Sequence, residues 1–327
     1  MRRLGFFFAV LALVGCGSSV STADPGADGG TDGGGKDGGS TVTADQGCAD
    51  LAGAYCDKLF GCALLYADIT YGDAAKCKER LKTSCLGSLS STGVAETPPM
   101  TEACSKQVSS TACEDLLAKK PLDKCVPAPG AVADGSACGD PEQCASTFCA
   151  YGKDSICGTC APVPKVGDAC VNLQCGRDLN CVLGKCQRPG TSGEACSSRD
   201  TPCAPGLSCF GGKCVKGGGP GAACDKVEVD NPDCDGTQGV FCNPATKVCQ
   251  KALEAKAGEA CGLSGSDYKV CVGASVCKLA AGAFSGTCIA PAADGAACSA
   301  GSDGPGCLQP AYCIGGVCKL ADAKSCK

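Results

Sequence analysis

Hydrophobic and polar positions divide the chain into four stretches of different character. Leu4 to Val14 forms an apolar run of eleven residues behind Arg2 and Arg3. A bilayer takes about 20 residues to cross, so this run is too short to span one. With its positive start it suits a signal peptide over residues 1–15 better than a buried core helix. Residues 17–47, GSSVSTADPGADGGTDGGGKDGGSTVTADQG, carry almost no apolar side chains. Such a stretch cannot bury enough surface to offset its ordering entropy, which predicts a disordered tether. About 30 residues of this composition reach roughly 30 Å. The Asp/Gly content keeps no nonapeptide period of the calcium-binding kind.

Over residues 48–126 the pattern turns helical. Leu51, Tyr55, Leu59 and Cys62 recur at spacings of three and four, the mark of one helix face. At 100° per residue Cys48 and Cys62 lie about 40° apart, on the same side. A second helix is predicted in GDAAKCKERLKTSCL, with Asp73 where an N-cap belongs. Pro98-Pro99 and Thr101 open a third, and Ser110 or Thr111 a fourth ahead of Cys113-Glu114-Asp115-Leu116-Leu117. The expectation is a small bundle of three or four helices clamped by four disulfides. Its cysteines are Cys48, Cys56, Cys62, Cys77, Cys85, Cys104, Cys113 and Cys125. Eight cysteines allow 105 pairings, and local sequence does not choose among them. A cluster of metal-binding thiolates is the rival use, but no CxxC pair occurs in this stretch.

Residues 127–327 are repetitive. Gly-x-Ala-Cys occurs six times, beginning at Gly135, Gly167, Gly193, Gly221, Gly258 and Gly295, with start-to-start spacings of 32, 26, 28, 37 and 37 residues. A recurrence of this kind predicts an array of six small units. Five of them hold four cysteines each: Cys170, Cys175, Cys181, Cys186; Cys196, Cys203, Cys209, Cys214; Cys224, Cys234, Cys242, Cys249; Cys261, Cys271, Cys277, Cys288; and Cys298, Cys307, Cys313, Cys318. The endings LNCVLGKCQ, LSCFGGKCV and AYCIGGVCK read as β-hairpins with two-residue turns at Leu183-Gly184, Gly211-Gly212 and Gly315-Gly316. With that turn, Cys209 faces Cys214 and Phe210 faces Lys213, so both sulfurs leave one side of the ribbon. An isolated hairpin is marginal in water. Bridges from first to third and second to fourth cysteine, tying it to the preceding loop, are therefore favoured among the three pairings open to four cysteines. The first unit breaks the count with Cys138, Cys144, Cys149, Cys157 and Cys160, and the chain ends with a solitary Cys326. Either the array folds back so that Cys326 meets the leftover of the first unit, or Cys326 could link to another molecule.

Composition explains why sulfur must carry this fold. Of 327 residues 35 are Cys and 48 Gly, aromatics are 4% and Trp is absent. Large apolar side chains, which stabilise by roughly 1.5–3 kcal/mol each when buried, are thinly spread. The fold class expected is therefore small and disulfide-rich: a helical, disulfide-clamped N-terminal module, then tandem short β-hairpin units. Cysteine above about 8–10% signals such a scaffold, and it persists only in an oxidising compartment. Losing Arg2 and Arg3 with the leader takes the formal charge from −5 to −7. No basic cluster suggests nucleic acid.

The chain has no histidine, which excludes a Ser-His-Asp triad, a Cys-His dyad and any His-liganded metal. Cys157-Gly-Thr-Cys160 is a CxxC, but no βαβ pattern surrounds it and structural bridging is the plainer use. Asp225, Glu228, Asp230, Asp233 and Asp235 could gather oxygens for Ca²⁺; a solvated loop is the plainer reading. No carboxylate pair stands out for hydrolysis, and no cofactor is expected.

The run Leu13-Val14-Gly15-Cys16 resembles the lipobox of bacterial lipoproteins. The resemblance implies cleavage between Gly15 and Cys16 and acylation of Cys16, and several acyl chains make a durable anchor. Gly17, in place of an Asp after the lipid cysteine, leans toward the outer membrane. The Gly-x-Ala-Cys openings and Gly-Gly or Leu-Gly hairpins over 138–318 resemble the Dickkopf N-terminal cysteine-rich domain and, more loosely, EGF-like modules. Four cysteines per unit is fewer than the animal domain has, so its receptor partners are not implied. The whole layout resembles the cysteine-rich lipoproteins of myxobacteria, which implies an envelope location and no activity.

The function expected is that of a non-catalytic surface lipoprotein, an extended binding or structural module. Its partners would be the membrane, through its lipid, and an unidentified protein or glycan. A secreted-type inhibitor or toxin-like protein presenting a reactive loop is the alternative, and an enzyme the less favoured third.

Overall fold

The computed structural model describes residues 42–152, 155–177, 179–197, 201–224, 233–264, 267–280, 282–299, 304–320 and 326. The leader, Gly15, Cys16 and most of the tether lie outside these residues, as do Asp225, Glu228 and Asp230. No helix among the described residues is long and apolar enough to cross a membrane.

Five helices make the N-terminal part: α1 (Ala44–Cys62), α2 (Leu64–Tyr71), α3 (Ala74–Leu89), α4 (Pro98–Ser110) and α5 (Cys113–Leu117). Helix α1 starts four residues ahead of Cys48, so the end of the expected tether is helical. Thr43 caps it, its side chain accepting from the Gln46 N–H. Gly47 is buried, and a Cβ there would lie 2.9 Å from the Pro98 carbonyl oxygen of α4. The apolar stretch after Gly61 does not continue α1 but breaks at Ala63, whose backbone leaves helical geometry (φ −148°, ψ 62°). Asp73 caps α3 as its position predicts, its carboxylate accepting from the Lys76 N–H at 2.7 Å.

Four disulfides staple these helices. Cys48–Cys85 and Cys56–Cys77 join α1 to α3, Cys62–Cys113 joins α1 to α5, and Cys104–Cys125 ties α4 to the turn that follows. Cys48 and Cys62 share a face of α1 yet reach different helices. The apolar core around them is small: Leu59, Ala67 and Tyr71 pack with Cys56 and Cys77, and Val108 packs with Cys104 and Cys125.

Beyond α5 the chain forms small antiparallel sheets. Two-stranded hairpins run over Asn180–Val182 with Lys185–Gln187, Leu207–Phe210 with Lys213–Lys216, Val240–Asn243 with Val248–Lys251, and Tyr312–Ile314 with Val317–Lys319. Cys209 lies opposite Cys214 and Phe210 opposite Lys213, as a two-residue turn requires. Leu183 adopts φ +50° in its turn without being glycine, and its side chain is exposed. The segment around Cys261 departs from a bare hairpin. It is a five-stranded sheet in which Leu253–Ala255 adds a parallel edge to Asp267–Cys271.

The Gly-x-Ala-Cys recurrence has a common backbone role. Each of its six glycines has φ between +79° and +90°, a region that costs glycine nothing. Each donates its N–H to the carbonyl of the last hairpin cysteine. Thus Gly135 donates to Cys160, Gly167 to Cys186, Gly193 to Cys214, Gly221 to Cys249, Gly258 to Cys288 and Gly295 to Cys318. The residue after each glycine accepts from that same cysteine's N–H. The cysteine that follows is thereby held as an added edge beside the hairpin.

Cysteines that face each other across a hairpin do not bond to each other. From Cys170 to Cys318 every described segment joins first to third and second to fourth: 170–181 and 175–186, 196–209 and 203–214, 224–242 and 234–249, 261–277 and 271–288, 298–313 and 307–318. The first segment has 138–149 and 144–160, leaving Cys157, which bonds Cys326. The described residues thus hold 17 disulfides. Cys326 is used within the chain, which corrects the alternative of an intermolecular link.

This closure is reached because the β-rich part is not extended but lies along the helices. The Gln143 side chain donates to the Thr92 carbonyl, and the Ala131 N–H to that of Gly93. Arg177 donates to the Cys125 carbonyl and Lys119 to Asn180. Gln238 donates to the Cys62 carbonyl. The Gly273 N–H donates to the Asp68 carboxylate at 2.7 Å. Arg80 of α3 holds Asp294, Leu308 and Gln309. These contacts tie the β-rich part to the end of α1, to α2 and α3, and to the stretches that follow α3 and α5, and Cys157–Cys326 joins two positions 169 residues apart.

Candidate functional site

Residues singled out in the sequence are mostly spent on structure. The CxxC cysteines do not bond each other: Cys157 bonds Cys326 and Cys160 bonds Cys144, so both are spent on structural bridges. Sulfur triplets such as Cys138, Cys144 and Cys160 lie within 4.8 Å of one another because two crossed disulfides stack. A bonded sulfur offers no thiolate to a metal. Asp235 accepts from the Thr237 N–H and hydroxyl and so caps the turn Gly236–Gln238. Of the other members of the acidic set, Asp233 is exposed, and Asp225, Glu228 and Asp230 fall outside the described residues.

The structure instead brings together a cavity of about 150 Å³ between the helices and the first two hairpin segments. Its walls are apolar: Leu51 and Tyr55 of α1, Leu81 and Leu89 of α3, Val108 of α4, and Leu122. Three charged side chains also line it, Glu96, Glu142 and Arg177. Glu142 sits on a rigid turn. Asp140 caps Pro141–Gln143, its carboxylate accepting from the Glu142 N–H at 2.8 Å, and Gln143 reaches back to the N–H groups of Gly139 and Asp140. This is a capping box with proline in its first turn. The Ser88 hydroxyl of α3 donates to Glu142 Oε2 at 2.7 Å.

Burial dominates the electrostatics here. Desolvation pushes Glu142 up from 4.5 to about 7, reinforced by the negative charges of Asp140 and Glu96 and opposed by the Ser88 hydrogen bond. Desolvation likewise raises Glu96, against a hydrogen bond from the Ala128 N–H, and its Oε2 is buried without a hydrogen-bond partner. Asp140 is raised too, again by burial first.

A carboxyl that titrates higher folded than unfolded binds its proton more tightly in the native state. The stability it contributes is complete below pH 4.5 and is lost as pH rises through about 7. Carboxyl-carbon NMR of Glu142 is expected to show a midpoint near 7. Glu142→Gln is expected to flatten the fall in unfolding free energy between pH 5 and 8 by on the order of 2–3 kcal/mol, measured with disulfides intact. A midpoint near 4.5 and an unchanged slope would refute the burial.

Sequence reasoning missed all three cavity charges. Asp140-Pro141-Glu142-Gln143 does carry a readable cap, but nothing local marks Glu142 as buried. Glu96 and Arg177 lie in stretches that read as plain loop.

Taken together, the fold defines a disulfide-rich protein, with an N-terminal helical part followed by small β-hairpin sheets. No family model matches the chain, and no curated protein or solved structure is significantly similar to it.

Proposed function

We propose that this chain is a non-catalytic, lipid-anchored protein of the cell envelope that binds a small ligand in the cavity of its helical part. Cys16 would carry the lipid, and residues 17–43 would hold the folded body away from an outer membrane. The six Gly-x-Ala-Cys segments are read as tandem copies of one cysteine-rich unit that lock the frame around the helices. The cavity carries the binding reading. Concave, mostly apolar sites with a few convergent polar groups are the usual form of small-molecule sites, and this one is walled by elements that four disulfides hold in place. The absence of histidine supports a non-catalytic role.

The mature chain, purified with its disulfides, is expected to bind benzene-sized probes saturably, as seen in ligand-observed NMR. Leu81→Trp, which fills the cavity, is expected to abolish this while leaving the helical dichroism unchanged. Undiminished binding by that folded variant would place the probe elsewhere and defeat the reading. Fluorophosphonate labelling of Ser88, whose hydroxyl faces Glu142, would defeat the non-catalytic part. Cys16→Ala is expected to release the chain from the membrane fraction, and unchanged membrane retention would remove the anchor.

A further inference from the structure

We propose that the cavity selects an organic ammonium ion with a compact hydrocarbon body. This rests on the reading of the cavity as a ligand site and adds the ligand's chemical class.

Two features of the site meet in such a molecule. The first is size and polarity. A cavity of about 150 Å³ with Leu and Val walls holds a body of roughly benzene's dimensions, too small for a long acyl chain. The second is uncompensated acid. Glu96 and Glu142 line the cavity and stand close enough for their charges to repel, with Asp140 adjoining. Among the described residues, the groups acting on Glu142 are Asp140, Glu96 and the Ser88 hydroxyl, and the group acting on Glu96 is the Ala128 N–H, with no cation among them. Arg177 lines the same cavity but points a guanidinium N–H at the Cys125 carbonyl, at 2.6 Å. Glu96 Oε2 stays buried and unpartnered, and a buried acceptor left bare is destabilising until a donor reaches it.

An ammonium group supplies both missing things, positive charge and N–H donors. Charge-assisted hydrogen bonds of this kind are roughly twice as strong as neutral ones. A bare Ca²⁺ would want six to eight oxygens, and the apolar walls do not offer them. A carboxylate or phosphate ligand would meet two like charges at the acidic end.

The test is calorimetry on the full mature chain at pH 8 with three probes of similar size: benzylamine, benzyl alcohol and benzoate. Benzylamine is expected to bind at least tenfold tighter than benzyl alcohol, and benzoate not at all. Glu96→Gln and Glu142→Gln are each expected to weaken benzylamine about tenfold more than they weaken benzyl alcohol. Lowering the pH to 5 is expected to weaken benzylamine as the carboxyls take up protons. Helical dichroism and an intact disulfide map would certify each variant as folded.

If benzyl alcohol bound as tightly as benzylamine, and Leu81→Trp abolished both, the cavity would be a ligand site without charge selection and only the ammonium class would fall. If no probe bound, or if benzylamine bound the Leu81→Trp variant undiminished, both readings would fall together.

Discussion

Complete reduction and alkylation is expected to unfold this chain from end to end. Its buried apolar positions are largely cystine. Cys48, Cys56, Cys77, Cys144, Cys186 and Cys214 are fully buried, and among the described residues Leu59 is the one leucine with its side chain less than 2% exposed. Without bridges, the clusters around Cys138 and Cys224 keep hardly any apolar partners beyond Val132, Tyr151 and Val240. Each disulfide contributes about 2–4 kcal/mol, chiefly by restricting the unfolded chain. A domain's whole net stability is about 5–15 kcal/mol. Losing 17 such links exceeds any margin of that size.

The hairpins should go first, because a two-stranded ribbon alone is marginal. The helices have a modest core of Leu59, Tyr71 and Val108 and should follow. Hydrogen exchange and far-ultraviolet dichroism would show this as loss of amide protection in residues 180–319 ahead of loss of helicity. A reduced, alkylated chain that stayed compact and protease-resistant would overturn the sulfur-based account of the fold.

Arg80→Ala is expected to free the last hairpin from the helices. The Arg80 side chain is only 14% exposed and makes four hydrogen bonds. Its two terminal nitrogens grip both carboxylate oxygens of Asp294, at 3.1 and 2.9 Å, and the second also donates to the Leu308 carbonyl at 2.8 Å. Its Nε donates to the Gln309 carbonyl. Truncation leaves one carboxylate and two carbonyls without their donor. Asp294 is partly exposed and can recover some hydration, so the cost falls below that of a fully buried pair, at about 2–3 kcal/mol.

The effect should be local, because Cys157–Cys326 still holds the chain end. Amides of residues 312–319 should exchange roughly 30-fold faster or more, while those of 207–216 keep their rates. Arg80→Lys should recover only part, because an ammonium cannot grip a carboxylate and two carbonyls in one fork. Removing the clasp as well, with Cys157→Ser and Cys326→Ser, should cost more than the two changes taken separately, since both hold the same segment in place. Strict additivity would mean the clasp and the Arg80 cluster act on different parts of the molecule.

What the sequence determined by itself is local. Asp73 caps α3 because its carboxylate needs only the next turn's N–H groups. Gly211-Gly212 sets the register of its hairpin because a two-residue turn leaves no other partner for Cys209 than Cys214. The crossed bridges are only favoured at that level, since both sulfurs leave one side of a ribbon that cannot stand alone, and the structure selects them from the three pairings. Gly193 and its five counterparts are glycines because the backbone there takes a positive φ.

The tertiary structure decided everything that depends on which surfaces meet. The break at Ala63 lies inside an apolar stretch that would read as one continuous helix. The extra strands around Cys261 and the bond from Cys157 to Cys326, 169 residues apart, depend on where the β-rich part lies against α2 and α3. The burial of Glu96 and Glu142 depends on the first hairpin segment closing over α3 and α4. Short-range geometry is written in neighbouring residues. Long-range pairing and desolvation belong to the assembled packing, and a carboxylate on a loop looks the same in sequence whether water or Leu89 lies beside it.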